Sequence, residues 1–97
     1  MHPEITDAAA EHRYEAHVDG ELAGVLEYIV KRGRIALVHT EVATTHRGGG
    51  IAAQLAGFAL AEARRRGLRV IPICRYVQRY LERHPEDLDI VAGATTR

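Results

Sequence analysis

Glycines 48, 49 and 50 sit in the run His39-Thr40-Glu41-Val42-Ala43-Thr44-Thr45-His46-Arg47-Gly48-Gly49-Gly50-Ile51-Ala52. A strand-like stretch ends there and an Ala-rich helical stretch starts at once. Backbone that turns through glycine into a helix start aims several N–H groups at one point. That point attracts anions, phosphate groups in particular. The three glycines allow close approach and positive φ, and Arg47 can reach a phosphate directly. A plain connecting loop is the alternative. Upstream, His39 and Glu41 are spaced i, i+2 on a strand and share a face, so they could relay a proton. A structural hydrogen bond in the sheet would place them equally well. Downstream, the single cysteine, Cys74, falls between a short β-rich run and a second helix. A helix start and the neighbouring Arg75 both favour its thiolate. It is either a nucleophile that accepts and passes on an acyl group or a small apolar residue in the core. Tyr76 and Tyr80 are one helical turn apart on the same helix.

These residues need a scaffold, and the pattern supplies one. Arg13 to Val18 and Glu21 to Val30 read as paired strands around the turn Asp19-Gly20. After the turn Lys31-Arg32-Gly33-Arg34, Ile35 to Val42 reads as a third strand, completing an antiparallel meander. Strict alternation puts Ile35, Leu37, His39 and Glu41 on one face and Ala36, Val38, Thr40 and Val42 on the other. A helix is expected from about Gly50 to Arg66, with Ile51, Leu55, Phe58 and Ala59 as its core stripe. Leu60 and several alanines lie off that stripe and allow a second apolar contact. Arg64-Arg65-Arg66 suit its C-terminal dipole and Gly67 its C′ position. Leu68 to Ile73 reads as a strand parallel to the third, joined by a right-handed crossover. Cys74 to Arg83 reads as a second helix with Val77, Tyr80 and Leu81 inward and Arg75, Gln78, Arg79 and Glu82 toward water. His84-Pro85 stops it. Residues 1–10, the acidic stretch after the second helix and residues 91–97 are expected to be loose.

Ninety-seven residues make one domain with a modest core. One cysteine leaves no internal disulfide and fits a reducing compartment. No stretch approaches the roughly 18 apolar residues of a membrane span. The N-terminal region is acidic, with no apolar signal core, so a cytoplasmic protein is expected. The zero net charge is uneven. Residues 1–46 carry four basic and eight acidic side chains, and residues 47–83 carry eight arginines against two glutamates. That basic block is either a solvated helix face or a surface for a small polyanion. The six histidines and one cysteine have no metal-ligand spacing. A single Arg-Gly-Gly, few aromatics and zero net charge argue against nucleic acid.

Taken in order, the motifs resemble the GNAT acyl-CoA N-acyltransferases. Arg47-Gly48-Gly49-Gly50-Ile51-Ala52 fits their (Gln/Arg)-x-x-Gly-x-(Gly/Ala) signature. His39-Thr40-Glu41-Val42, the Arg-Gly-x-Gly-Ile turn, the Pro-x-Cys before the second helix and the ending from Tyr80 to Pro85 resemble a short single-domain branch. The resemblance covers roughly residues 13–90. It implies a truncated GNAT-like α/β fold that uses acetyl-CoA. Val42, Arg47, Gly48, Gly49, Gly50, Ile51, Ala52 and Tyr76 would hold this cofactor, with the backbone N–H groups gripping its pyrophosphate. The implied reaction moves an acetyl group to an unidentified amine. Glu41 is the preferred general base and His39 a possible relay. Tyr80 would protonate the departing thiolate or serve only in packing, and Cys74 would lie near the thioester. Larger members carry further helices and strands that shape the acceptor pocket, and this chain has no room for them. The acceptor site is then open, built by a dimer partner, or absent. In the last case the chain is a non-catalytic CoA-binding module acting through a protein partner. A monomer or weak homodimer is expected.

Overall fold

Five strands form one sheet in chain order: β1 (Glu4–Ala8), β2 (Arg13–Val18), β3 (Glu21–Lys31), β4 (Arg34–Val42) and β5 (Arg69–Pro72). This is a computed structural model, and it describes residues 2–93. Strands β1 to β4 pair antiparallel, and β5 adds parallel to β4 through α1 (Ile51–Arg66). The two hairpin turns follow from their sequences. Asp19-Gly20 and Arg32-Gly33 both hold positive φ at both positions, the twist that two-residue hairpins require.

Both α1 and α2 (Arg75–Arg83) pack on one face of the sheet. Tyr14, Ala16, Val18, Leu26, Tyr28, Ile35, Leu37 and Val70 come from the strands. Leu55, Ala59, Leu60, Ala63, Val77 and Leu81 come from the helices, and together they form a single core. Phe58, expected in the core stripe, is half-buried and meets Tyr14 edge-on at 5.4 Å. Leu60 is fully buried, so the second apolar contact exists. The other face of the sheet is uncovered. Ile29 and Ile73 are more than half exposed there or at its rim.

Three expectations are corrected. First, β4 does not alternate strictly. Glu27 pairs with His39 and Tyr28 with Leu37, which leaves Val38 as an extra residue. This β-bulge shifts the side-chain parity. Ile35 and Leu37 face the helices, but beyond the bulge Thr40 and Val42 do so, and His39 and Glu41 turn to the uncovered face. Second, residues 4–8 are not loose. They form β1, Ile5 packs against the core, and Tyr28 Oη donates to Asp7 Oδ1 at 2.5 Å across β2. Third, the acidic stretch is held. Pro85–Ile90 forms a 3₁₀ turn with Ile90 buried. Arg64 binds Asp87 and Asp89, and Ala92 N donates to Val70 O at 2.7 Å beside a Val70–Val91 bridge. Of the expected loose C-terminus, residues 94–97 lie outside the described residues.

Candidate functional site

Gly50 caps α1 with φ +79°, and Gly48 holds φ +86°. Among the described residues no side chain caps the start of the helix. Among the described residues, the N–H groups of Gly48, Gly50, Ile51, Ala52 and Ala53 find no partner on the chain. The first helical bond is donated by Gln54 to Gly50 O at 3.1 Å. Orphan donors of this kind are usually met by a side chain, water or an anion. A Cβ on Gly48 or Gly50 would meet no atom of the described residues within 4 Å, so the space before the glycines is open. The loop leading in is fixed. Thr44–His46 makes a 3₁₀ turn, and His46 Nε2 lies 3.0 Å from Glu21 Oε1. Arg47 Nε donates to Val42 O at 3.4 Å, which keeps the guanidinium beside the glycines. Val42, His46, Arg47, Gly48, Gly50, Ile51, Ala52, Ala53 and Tyr76 line the resulting cradle of about 250 Å³. Seven of the expected cofactor residues therefore line it, and Gly49 lines the adjoining hollow.

The helix start can sit this low because of Gly24 in β3. A Cβ there would fall 2.9 Å from Ile51 Cγ2 and 3.1 Å from Glu41 O. The missing side chain lets the first turn of α1 rest directly on the sheet.

Beside the cradle the sheet opens. The β4–β5 ladder ends at Leu37–Pro72, where the proline removes a donor. Both Ile73 N and Cys74 N then donate to Leu37 O, at 3.1 and 2.8 Å, and the chain turns away into α2. From Val38 to Val42, β4 has no strand partner on that side among the described residues. Cys74 is the N-cap of α2 and only 7% exposed. Its Sγ meets Thr40 Oγ1 at 3.2 Å on the helix face. Across the sheet, the side chains of His39 and Glu41 are 57% and 73% exposed, with Nε2 and Oε1 3.9 Å apart. The opening thus carries the thiol and Thr40 hydroxyl on one face and the His39–Glu41 pair on the other. Cys74 and Glu41 do not converge on one side.

On α2, Tyr76, Arg79, Tyr80 and Arg83 form one face, joined by His84. With Ala53 they line a cleft of about 180 Å³ between the two helices. Tyr80 is half-buried, and its hydroxyl lies 3.0 Å from where a Gly57 Cβ would sit. Burial, then the nearby Asp87 and Glu86 carboxylates, push its phenol above the usual tyrosine range, so it stays protonated at neutral pH. The ring stacks on His84 at 3.9 Å, and His84 Nδ1 donates to Tyr80 O at 2.9 Å. Tyr76 borders both the cradle and the cleft, whereas Tyr80 borders the cleft alone. Sequence reasoning missed Thr40, His46, Ala53, Arg83 and His84, and read Arg79 as merely solvated. The i, i+3, i+4, i+7 spacing of 76, 79, 80 and 83 was the available signal for the α2 face.

Known proteins share this fold. The family described as GCN5-related N-acetyl-transferase matches residues 13–90. A GCN5-like protein from Staphylococcus aureus, solved by NMR, superposes with a TM-score of 0.69 at 21% identity, over 97% of this chain and 92% of that one. The ribosomal-protein-alanine N-acetyltransferase from Brucella melitensis superposes with a TM-score of 0.55 at 25% identity, over 88% of this chain. This chain spans 64% of that enzyme's length. Among curated proteins none matches significantly. The family match spans most of the chain, and the chain belongs to the GCN5-related N-acetyltransferase family.

Proposed function

We propose that the protein transfers an acetyl group from acetyl-CoA to an amine. The observation that carries this reading is the set of unpaired N–H groups at Gly48, Gly50, Ile51, Ala52 and Ala53, next to Arg47 and at the mouth of the β4–β5 opening. Those donors and the positive end of α1 suit a pyrophosphate. The free edge of β4 from Val38 to Val42 suits an extended, amide-bearing arm, which can bond to it as an added strand would. Acetyl-CoA supplies the activated acyl group, and the chain supplies position and proton transfer.

The two faces of the opening divide the work. The thioester end lies on the helix side, near Thr40 and Cys74. The amine enters from the uncovered face, where Glu41 takes its proton as general base and His39 passes the proton to solvent. Tyr76, at the border of cradle and cleft, is better placed than Tyr80 to give a proton to the departing thiolate. Cys74 is buried on the side away from the incoming amine, which favours direct attack over a cysteine-bound intermediate. In this reading it packs against Thr40 and holds the opening in shape.

Thermal unfolding with CoA and acetyl-CoA tests the proposal. A ligand bound only by the native state at 100 times its Kd adds about 2.7 kcal/mol. For a domain of this size that raises the Tm by roughly ten degrees or more. No shift at millimolar CoA or acetyl-CoA would remove the reading. Glu41→Gln should then leave the shift intact and slow transfer to a panel of amines about 100-fold or more.

A further inference from the structure

The uncovered face of the sheet carries its charges in order. Along β3 the side chains of Val25, Glu27, Ile29 and Lys31 share that face, and the ladder sets Glu41, His39, Ala36 and Arg34 of β4 beside them. On the other side Glu15 pairs with Val25 and Arg13 with Glu27. The carboxylates of Glu15, Glu27 and Glu41 thus gather at the end where the amine enters. Arg13, which lies among them, is bonded to Glu15 at 2.8 Å. The far end holds Lys31, Arg32 and Arg34 around a hollow of about 270 Å³ floored by Ile29, Ala36 and Ile71. We propose that this hollow docks the acceptor, an extended peptide segment whose lysine amine lies at Glu41, whose apolar side chain sits on Ile29 and Ile71, and whose acidic side chain meets Lys31 and Arg34. This inference rests on the reading that an amine is acetylated at Glu41. In that step the lysine Nζ bonds to the acetyl carbon, the C–S bond breaks to release the CoA thiolate, and Glu41 accepts the proton that Nζ loses.

Spacing selects this occupant. Ile29 is four residues along β3 from Val25, the partner of Glu41, and Lys31 is six. The hollow therefore lies about 13 Å, and the cations about 20 Å, from the row of Glu41. An extended peptide has the same repeat, and its side chains two, four and six positions apart point the same way. A lysine, an apolar residue four positions away and an acidic residue six positions away then face the sheet together. A small amine held at Glu41 does not reach the hollow.

Charge and size agree with spacing. Arg13, Arg64 and Arg65 each hold a carboxylate. Among the described residues Lys31, Arg32 and Arg34 hold none, which leaves them available to an acidic side chain. Ile29 and Ile71 are exposed, and the core closes on the other face of the sheet without them. From Val25 to Lys31 and across β3 to β5 the patch measures about 20 by 14 Å, roughly 300 Å². A stable interface between two chains takes about 800 Å² from each partner. The patch is thus too small to hold a second copy of this chain firmly, and a segment of about seven residues fills its length.

Steady-state transfer from acetyl-CoA to a set of capped heptapeptides tests this. The reference peptide has lysine at the first position, leucine at the fifth, glutamate at the seventh and serine elsewhere. A second peptide carries the same order reversed, because the face does not fix chain direction. For the better of the two, kcat/KM should exceed that of lysine amide about tenfold or more, through KM. Moving the leucine by one position turns it to the other side of the peptide and should remove most of that gain. Lys31→Glu/Arg34→Glu should reverse the charge preference, so that arginine in place of the glutamate now gives the better substrate. Both residues are exposed, so the fold should survive, and circular dichroism checks it. Equal kcat/KM for lysine amide and both peptides overturns the inference and leaves acetyl transfer in place. So does a glutamate preference that survives in the Lys31/Arg34 variant. A wild-type dimer in sedimentation that the same variant abolishes would also overturn it, giving the hollow to a second copy. If CoA binds and no amine is acetylated, the reading at Glu41 itself falls and this inference with it.

Discussion

Gly50 holds φ at +79° at the point where the loop becomes α1, and none of the described residues comes within 4 Å of a Cβ placed there. Any cost of substitution is therefore conformational. Gly50→Ala should lower stability by about 1–2 kcal/mol, the price of a left-handed L-residue. A methyl group in front of the unpaired N–H groups should also weaken CoA binding. Thermal melts of the variant with and without CoA check both outcomes, and a normal ligand shift would mean that the anion does not sit at this turn. Cys74 makes the opposite kind of statement. It is buried, and its sulfur has a neighbour in Thr40 Oγ1. Cys74→Ala should cost about 1 kcal/mol, keep CoA binding and retain most transfer. Complete loss of transfer, together with an acetyl adduct on wild-type Cys74 in mass spectra, would instead make it the nucleophile.

At the scale of elements, β4 does the positioning. Its bulge at Val38 sends Thr40 to the helices and His39 and Glu41 to the uncovered face. Gly24 then sets the height of α1 above it. Gly24→Ala would press on Ile51 Cγ2, a branched side chain, and on the immobile Glu41 carbonyl. Overpacking of this kind costs about 1–3 kcal/mol. Because it lifts the first turn of α1, CoA affinity should fall along with the Tm, and titration of the folded variant would detect it. An unchanged affinity would mean that the cradle tolerates a displaced helix start.

Much of this was legible in the sequence. Asp19-Gly20 and the Arg32-Gly33 turn announce themselves by residue type, and the glycine turn into an Ala-rich helix does the same. The bulge was not legible, because one added residue in a run of Val, His and Thr leaves no local mark. Strict alternation consequently put Glu41 on the wrong face. β1 escaped because Glu4-Ile5-Thr6-Asp7-Ala8 has one large apolar residue and gains its order from pairing with β2. The tail escaped because its anchor, Arg64, lies 23 and 25 residues away from Asp87 and Asp89. Of the site, the cradle was read from its glycines. The cleft was missed because long arginine side chains can be solvated and still line a hollow.

Over the whole molecule, the basic block of the sequence becomes a contact between the C-terminal end of α1 and the acidic stretch after α2. The basic end of α1 grips the acidic turn, and Arg69 Nη1 adds a bond to Asp89 O. The Arg64 guanidinium holds the Asp89 carboxyl below the usual carboxylate range. A carboxyl depressed in the folded state favours folding above its unfolded pKa, about 3.9, and loses that contribution as the pH falls through its folded value. These groups are exposed, so the effect is screened by salt. Docking of residues 85–90 should therefore weaken below about pH 4 and at high ionic strength. Faster amide exchange at Val91 and Ala92, ahead of the sheet, would report it. Equal protection at pH 3 and pH 7 would assign the docking to Ile90 burial alone.

The unpaired edge of β4 has a consequence for the protein without its ligand. A bare strand edge beside exposed isoleucines is a template on which a second chain can add. Pro72 and Glu41 blunt that edge without closing it. An occupant that bonds along residues 38–42 would cover it as a neighbouring strand does. The ligand would then act as a guard against fibril growth as well as a reactant. Thioflavin fluorescence during prolonged incubation should rise in the free protein and stay flat when saturating CoA is present.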